Sequence, residues 1–113
     1  MTQIHTTQQD GATVIRLDGE LTQLGVPMVQ RDFVAAIDGH FGGVVIDLSG
    51  VHLITTPGIT LLVSANERVS EQGRKLVFAG LKGSVAEVLL ERCRLDLVLT
   101  VAPNVDAAVR AAT

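Results

Sequence analysis

The stretch "LITTPGITLLVSA" (residues 53–65) sets two adjacent hydroxyls, Thr55 and Thr56, beside Pro57 and Gly58, between an apolar strand-like run and an amphipathic run. A threonine at a helix N-cap turns its hydroxyl onto a free backbone N–H of the first turn. Proline at the first helical position loses nothing, because its missing N–H would be unpaired anyway. This chemistry predicts Thr56 as the N-cap and Pro57 as the first helical residue, with Gly58 leaving the surface around them bare. Two readings of Thr56 stay open. As a plain cap it contributes about 1 kcal/mol. As a phosphoacceptor it would hold a phosphate where exposed amides and the positive end of a helix dipole favour negative charge. No base adjoins it in sequence, so self-catalysed nucleophilic chemistry is not expected.

Elsewhere the reactive side chains are sparse. Cys93 sits between Arg92 and Arg94, and neighbouring cations can lower a thiol pKa; the alternative is a buried, inert cysteine at a helix end. A single cysteine excludes an internal disulfide and any multi-cysteine metal site. His5, His40 and His52 share no ligand spacing with each other or with a carboxylate pair, so structural or surface roles are expected and no metal is. With no nucleophile–base pair, ligand cluster or glycine-rich phosphate loop, the expectation is a binding protein without catalysis or cofactor. Asp47 is expected to accept N–H bonds in the turn after its strand, and Glu20 to be exposed.

These residues are carried by 113 residues, enough for a single domain (residues 1–113) with one core. The hydrophobic share is 47%, yet Trp and Tyr are absent and Phe occurs three times. The core must therefore be built of Val, Leu, Ile and Ala, which suits parallel strands covered by helices. A net charge of -3 argues against nucleic-acid binding, with Arg92 and Arg94 the one place for a local basic patch. No apolar run approaches the ~20 residues of a membrane span, and "MTQIHTTQQD" lacks the plan of a signal peptide. A soluble, cytoplasmic protein without membrane insertion is the expectation.

The element order reads β-β-α-β-α-β-α-β-α. "IHTTQQDGATVIRLDG" makes two strands around Asp10-Gly11, a dipeptide suited to the positive φ angles of a tight hairpin, and Gly19 is expected to break the second. Val26, Val29, Phe33, Val34 and Ile37 recur at helical spacing, and "FGG" closes that unit. "VVIDL" (residues 44–48) is a β-branched run fit for a buried strand. After the threonines, Ile59, Leu62, Val63, Asn66 and Val69 form a stripe, and Gly73 supplies a helix stop. "KLVFAG" is a strand, and "SVAEVLLERC" a helix with a capping box of Ser84 and Glu87. "LDLVLTV" is a last strand, and "NVDAAVRAA" a last helix capped by Asn104 and helped by Asp106. Strands alternating with helices after a hairpin predict an α/β fold with a mixed, mostly parallel sheet covered by helices.

The segment "VVIDLSGVHLITTPGITLLVSA" resembles the signature of STAS domains of the anti-sigma-factor-antagonist type: an apolar strand, Asp-Leu-Ser, an apolar stretch, Asp-Ser-Ser-Gly, then a helix. "RLDGELT" is similar to the family's Gly-Glu-Leu-Asp element, and "EQGRKLVFAGLKGSVAEVLL" to its later strand and helix, so the likeness spans nearly the whole chain. By position, Gly58 matches the motif glycine and Thr56 the serine that a partner kinase phosphorylates in switching members. Thr55 stands where the motif has aspartate, Pro57 where it has the second serine, and Thr22 where "GELD" has its acid. The resemblance implies an α/β STAS domain that binds an anti-sigma factor, itself often a serine/threonine kinase, and so frees a sigma factor. It places the docking face at Thr55, Thr56, Pro57, Gly58 and the Glu20-Leu21-Thr22 turn. The alternative it leaves is an adaptor that is never phosphorylated, a scaffold subunit of a signalling or lipid-transport complex.

Overall fold

The computed structural model describes residues 1–81, 85–92, 94 and 99–113. Strands β1 (Gln3–Gln9) and β2 (Ala12–Leu21) form the hairpin, joined through Asp10 (φ 50) and Gly11 (φ 85), the left-handed pair that the Asp-Gly dipeptide favours. Helix α1 (Val26–Asp38), strand β3 (Val44–Ile54), helix α2 (Thr56–Glu71), strand β4 (Leu76–Ala79), helix α3 (Val85–Arg92) and helix α4 (Val105–Ala112) follow. The sheet order is β1-β2-β3-β4, with β1 antiparallel to β2 and the remaining pairs parallel. The α/β class and mixed sheet are therefore as the sequence predicts. Of the expected last strand, residues 95–98 lie outside the described residues, as do Ser84 of the expected capping box and Cys93. Its end is described: Val101 bridges Phe78 in parallel, with Phe78 N–H donating to the Thr100 carbonyl at 2.9 Å and Ala102 N–H to that of Phe78 at 2.8 Å.

Side-chain alternation divides the core into two layers. Ile15, Leu17 and Leu21 of β2 and Val44, Ile46 and Leu48 of β3 point to one face, where Val29, Phe33 and Ile37 of α1 and Leu61, Leu62 and Val69 of α2 cover them. Ala12, Val14, Val45 and Val77 point to the other, under Ala108, Val109 and Ala112 of α4. Small residues on that second face let α4 lie close to the sheet. Its start is fixed by Asn104, whose side-chain oxygen accepts from Ala107 N–H at 2.8 Å, as expected.

Two expectations about element limits, and one about a helix face, are corrected. Gly19 does not end β2; at φ 99 it forms an irregularity in the β2–β3 pairing, and the strand runs on to Leu21. Strand β3 does not stop at Leu48 but continues to Ile54, with a second irregularity near Gly50. Asp47 consequently lies within the strand, buried, where its Oδ1 still accepts the Ser49 N–H at 3.0 Å. On α2 the buried residues are Gly58, Leu61, Leu62, Ala65 and Val69, so the apolar stripe is turned by about one residue from the expected one. Ile59, Val63 and Asn66 are only half-buried.

Candidate functional site

Because β2 and β3 are parallel, their carboxyl ends lie together, and the chain leaves each of them into a helix. Leu21 pairs with Ile54 at that end, and Thr55 N–H donates to the Leu21 carbonyl at 3.0 Å. This bond fixes where α2 begins. Thr55, in extended conformation (φ -121, ψ -176), is the N-cap, and Thr56 is already helical. The expected frame, with Thr56 as cap and Pro57 first, is thus off by one residue. Either frame satisfies proline, since the first turn has several N–H groups without intrahelical partners; the tertiary bond to Leu21 decides between them.

The cap reading of the hydroxyl does not hold. Thr55 makes no side-chain cap hydrogen bond. The carbonyls of Thr55 and Thr56 are engaged, accepting Gly58 N–H at 2.9 Å and Thr60 Oγ1 at 3.1 Å respectively. Among the described residues the hydroxyls of Thr55 and Thr56 have no protein partner, and both threonines are exposed. They therefore stand at the positive end of a sixteen-residue helix with both hydroxyls open to chemistry from outside.

Gly58 is not the bare surface expected of it. It is buried, and a Cβ there would collide with the Leu21 carbonyl oxygen and come within 2.7 Å of Leu21 Cβ. Its hydrogen side chain lets the first turn of α2 press onto β2. Leu21 is fully buried as well, so these two members of the expected docking face lie beneath the surface, not on it. Glu20 is exposed, as expected, and lies 3.8 Å from His52 across the strands. Thr22 is half-buried, and its Oγ1 accepts the Gly25 N–H at 3.2 Å while its carbonyl accepts Val26 N–H at 2.9 Å. Where the motif would carry an acid, a threonine here builds the turn into α1. The chain start braces the same turn: Thr2 Oγ1 donates to the Glu20 carbonyl at 2.7 Å.

Sequence reasoning missed the apolar residues that flank this end. Leu24, in the turn before α1, is 83% exposed, Met28 in the first turn of α1 53%, and Leu53, close before Thr55, 41%. The available signal was the place of Met28 off the helical stripe of α1, and of Leu24 and Leu53 next to the ends of strands. Between α1 and α2 runs a groove of about 610 Å³ with Thr56, Pro57, Gln23 and Pro27 at one end and Arg68 at the other. Arg68 is not a free cation there, since its guanidinium forms a two-pronged pair with Asp38 through Nε (2.7 Å) and Nη2. That hydrogen bond holds the Asp38 carboxyl below its usual range and raises Arg68. On the sheet side, Arg16 is raised by its hydrogen bond to Asp18 at 2.9 Å, and His5 lies 3.6 Å from the same carboxylate. No group of three or more metal-ligating side chains is found among the described residues.

The family profile for the STAS domain matches residues 3–108. The chain belongs to the STAS domain family. Among solved structures it is similar to an anti-sigma factor antagonist from Mycobacterium paratuberculosis (TM-score 0.86, 20% identity, covering 99% of this chain and 94% of that one). An anti-sigma-factor antagonist (STAS) domain protein from Planctomyces limnophilus is also similar (0.80, 26%, covering 100% and 99%). So is the anti-sigma factor antagonist SpoIIAA in its unphosphorylated form (0.69, 14%, covering 98% and 96%). A search of curated protein sequences returns no match. No helix among the described residues is long and apolar enough to cross a membrane.

Proposed function

We propose that this STAS domain is an anti-sigma-factor antagonist: a binding module, without turnover, that engages an anti-sigma factor of the serine/threonine-kinase type and so frees a sigma factor. The docking face comprises Glu20, Thr22, Thr55, Thr56 and Pro57, shaped from below by Leu21 and Gly58 and widened by Leu24, Met28 and Leu53. One observation carries the reading. Thr56 is exposed and its hydroxyl has no protein partner among the described residues, in the first turn of α2, where helix amides and dipole favour an added anion. A phosphate there brings about -1.5 to -2 charges, enough to unseat a close protein contact while leaving the core untouched.

The test is incubation with the cognate kinase and ATP, followed by intact mass and site mapping. One added phosphate at Thr56 is the expected result, and an unchanged mass overturns the switch. Thr56→Ala should bind the partner and not be released by the kinase; Thr56→Glu should lose binding by at least tenfold.

A second reading, a permanently unphosphorylated adaptor, is favoured by one feature. Thr55, Pro57 and Thr22 replace polar or acidic motif positions, and Thr22 is committed to its own turn. An adaptor would bind its partner equally as wild type and as Thr56→Ala, and no kinase treatment would release it.

A further inference from the structure

The sheet has two edges, and they are finished differently. At β4, the Thr100–Ala102 segment takes up the outward N–H and C=O of Phe78. Strand β1 is the other edge, and nothing among the described residues pairs with its outer side. Natural edge strands are usually protected by lysine, proline, a bulge or shortness. The seven residues "QIHTTQQ" contain no lysine, proline or glycine, and their register with β2 is regular from end to end. His5, Thr6, Thr7 and Gln8 are exposed.

The hairpin geometry says which backbone groups are free. A two-residue turn with both residues at positive φ closes on a hydrogen-bonded pair, here Gln9 with Ala12. Bonded and non-bonded pairs then alternate, so Thr7–Val14 and His5–Arg16 are bonded while Gln8–Thr13, Thr6–Ile15 and Ile4–Leu17 are not. An independent contact agrees: Thr13 N–H points away from β1 and donates to the Gly43 carbonyl at 2.9 Å. Ile4, Thr6 and Gln8 therefore direct their N–H and C=O outward, three donors and three acceptors in a row centred on Thr6.

That row is self-complementary. We propose that a second copy of this chain adds to it, β1 against β1 in antiparallel sense about a two-fold axis at Thr6, making one continuous sheet from the two four-stranded ones. Thr6 then forms a bonded pair with Thr6 of the second copy, and Ile4 with its Gln8. His5 stands opposite Thr7, and Gln3 opposite Gln9. All the outward groups are satisfied in this register, threonine pairs are favourable across strands, and no formal like charges face each other. The helix packed on β1 is α1, so the paired edge is separate from the start of α2. An interface made mainly of backbone bonds belongs to the weak, concentration-dependent class.

Light scattering or sedimentation over a concentration series reaching the millimolar range should show the mass rising from one chain towards two. Amide exchange over the same series should slow at Ile4, Thr6 and Gln8 only, while His5 and Thr7 are protected throughout. Thr6→Pro removes an outward N–H that β2 does not use and should abolish association with the β1–β2 pairing intact. Thr6→Lys, which places like charges on the axis, should do the same should the proline variant fail to fold. A chain that stays monomeric at the highest concentration overturns the proposal. So does association that leaves the Ile4, Thr6 and Gln8 amides exchanging freely.

Discussion

Two helices of this domain start on a polar residue in extended conformation, and they use it in opposite ways. At α4, Asn104 turns its side chain back onto Ala107 N–H, so the cap is spent on the helix. At α2, Thr55 makes no such bond; the start is held by the main chain, through Thr55 N–H on the Leu21 carbonyl, and by the bare approach of Gly58 to β2. A helix start secured through backbone and glycine does not need its hydroxyls. Those of Thr55 and Thr56 are thereby left without a bond to the helix they begin.

The difference can be broken most severely at Gly58. Gly58→Val forces a branched side chain into the Leu21 carbonyl and should cost about 3 kcal/mol of unfolding free energy by chemical denaturation. A loss well under this would mean that α2 can lift from β2 cheaply. Asn104→Ala comes next, at about 1 kcal/mol, the ordinary worth of a side-chain cap. Thr55→Ala and Thr56→Ala should each stay within about 0.5 kcal/mol of the wild type, as surface changes do; a loss like that of Asn104 would restore the cap reading. The smallest effect is at the far end of α2. Asp38 is titrated low by its bond to Arg68, so the pair's contribution is complete above the ordinary carboxylate range and lost as pH falls through the lowered folded-state value. The gap in stability between wild type and Asp38→Asn should be small at neutral pH and close in acid.

Much of the fold is legible in the sequence because local and global signals coincide. Asp10-Gly11 can make one kind of turn well, Val44–Leu48 is too apolar for anything but a covered strand, and Asn104 announces a helix. The site is less legible for reasons that are tertiary. Thr-Thr-Pro allows two helix frames, and only the bond from Thr55 to Leu21 selects one. Glycine has no side chain to register in a hydrophobic pattern, so Gly58 and the small Ala65 hid the true buried face of α2 behind Ile59 and Val63. Gly19 reads as a strand end and residues 44–48 as a whole strand, whereas parallel pairing carries both strands further with shifts in register. Leu21, taken as part of the docking turn, is core because β2 is longer than its glycine suggests.

The bond between Thr55 and Leu21 also joins two segments that are far apart in sequence, the turn into α1 and the start of α2, into one body. A partner arriving at this end would find the surface already assembled, so association should proceed with little backbone adjustment. Calorimetry would then give a heat-capacity change accounted for by the apolar area covered, with no extra contribution from chain ordering.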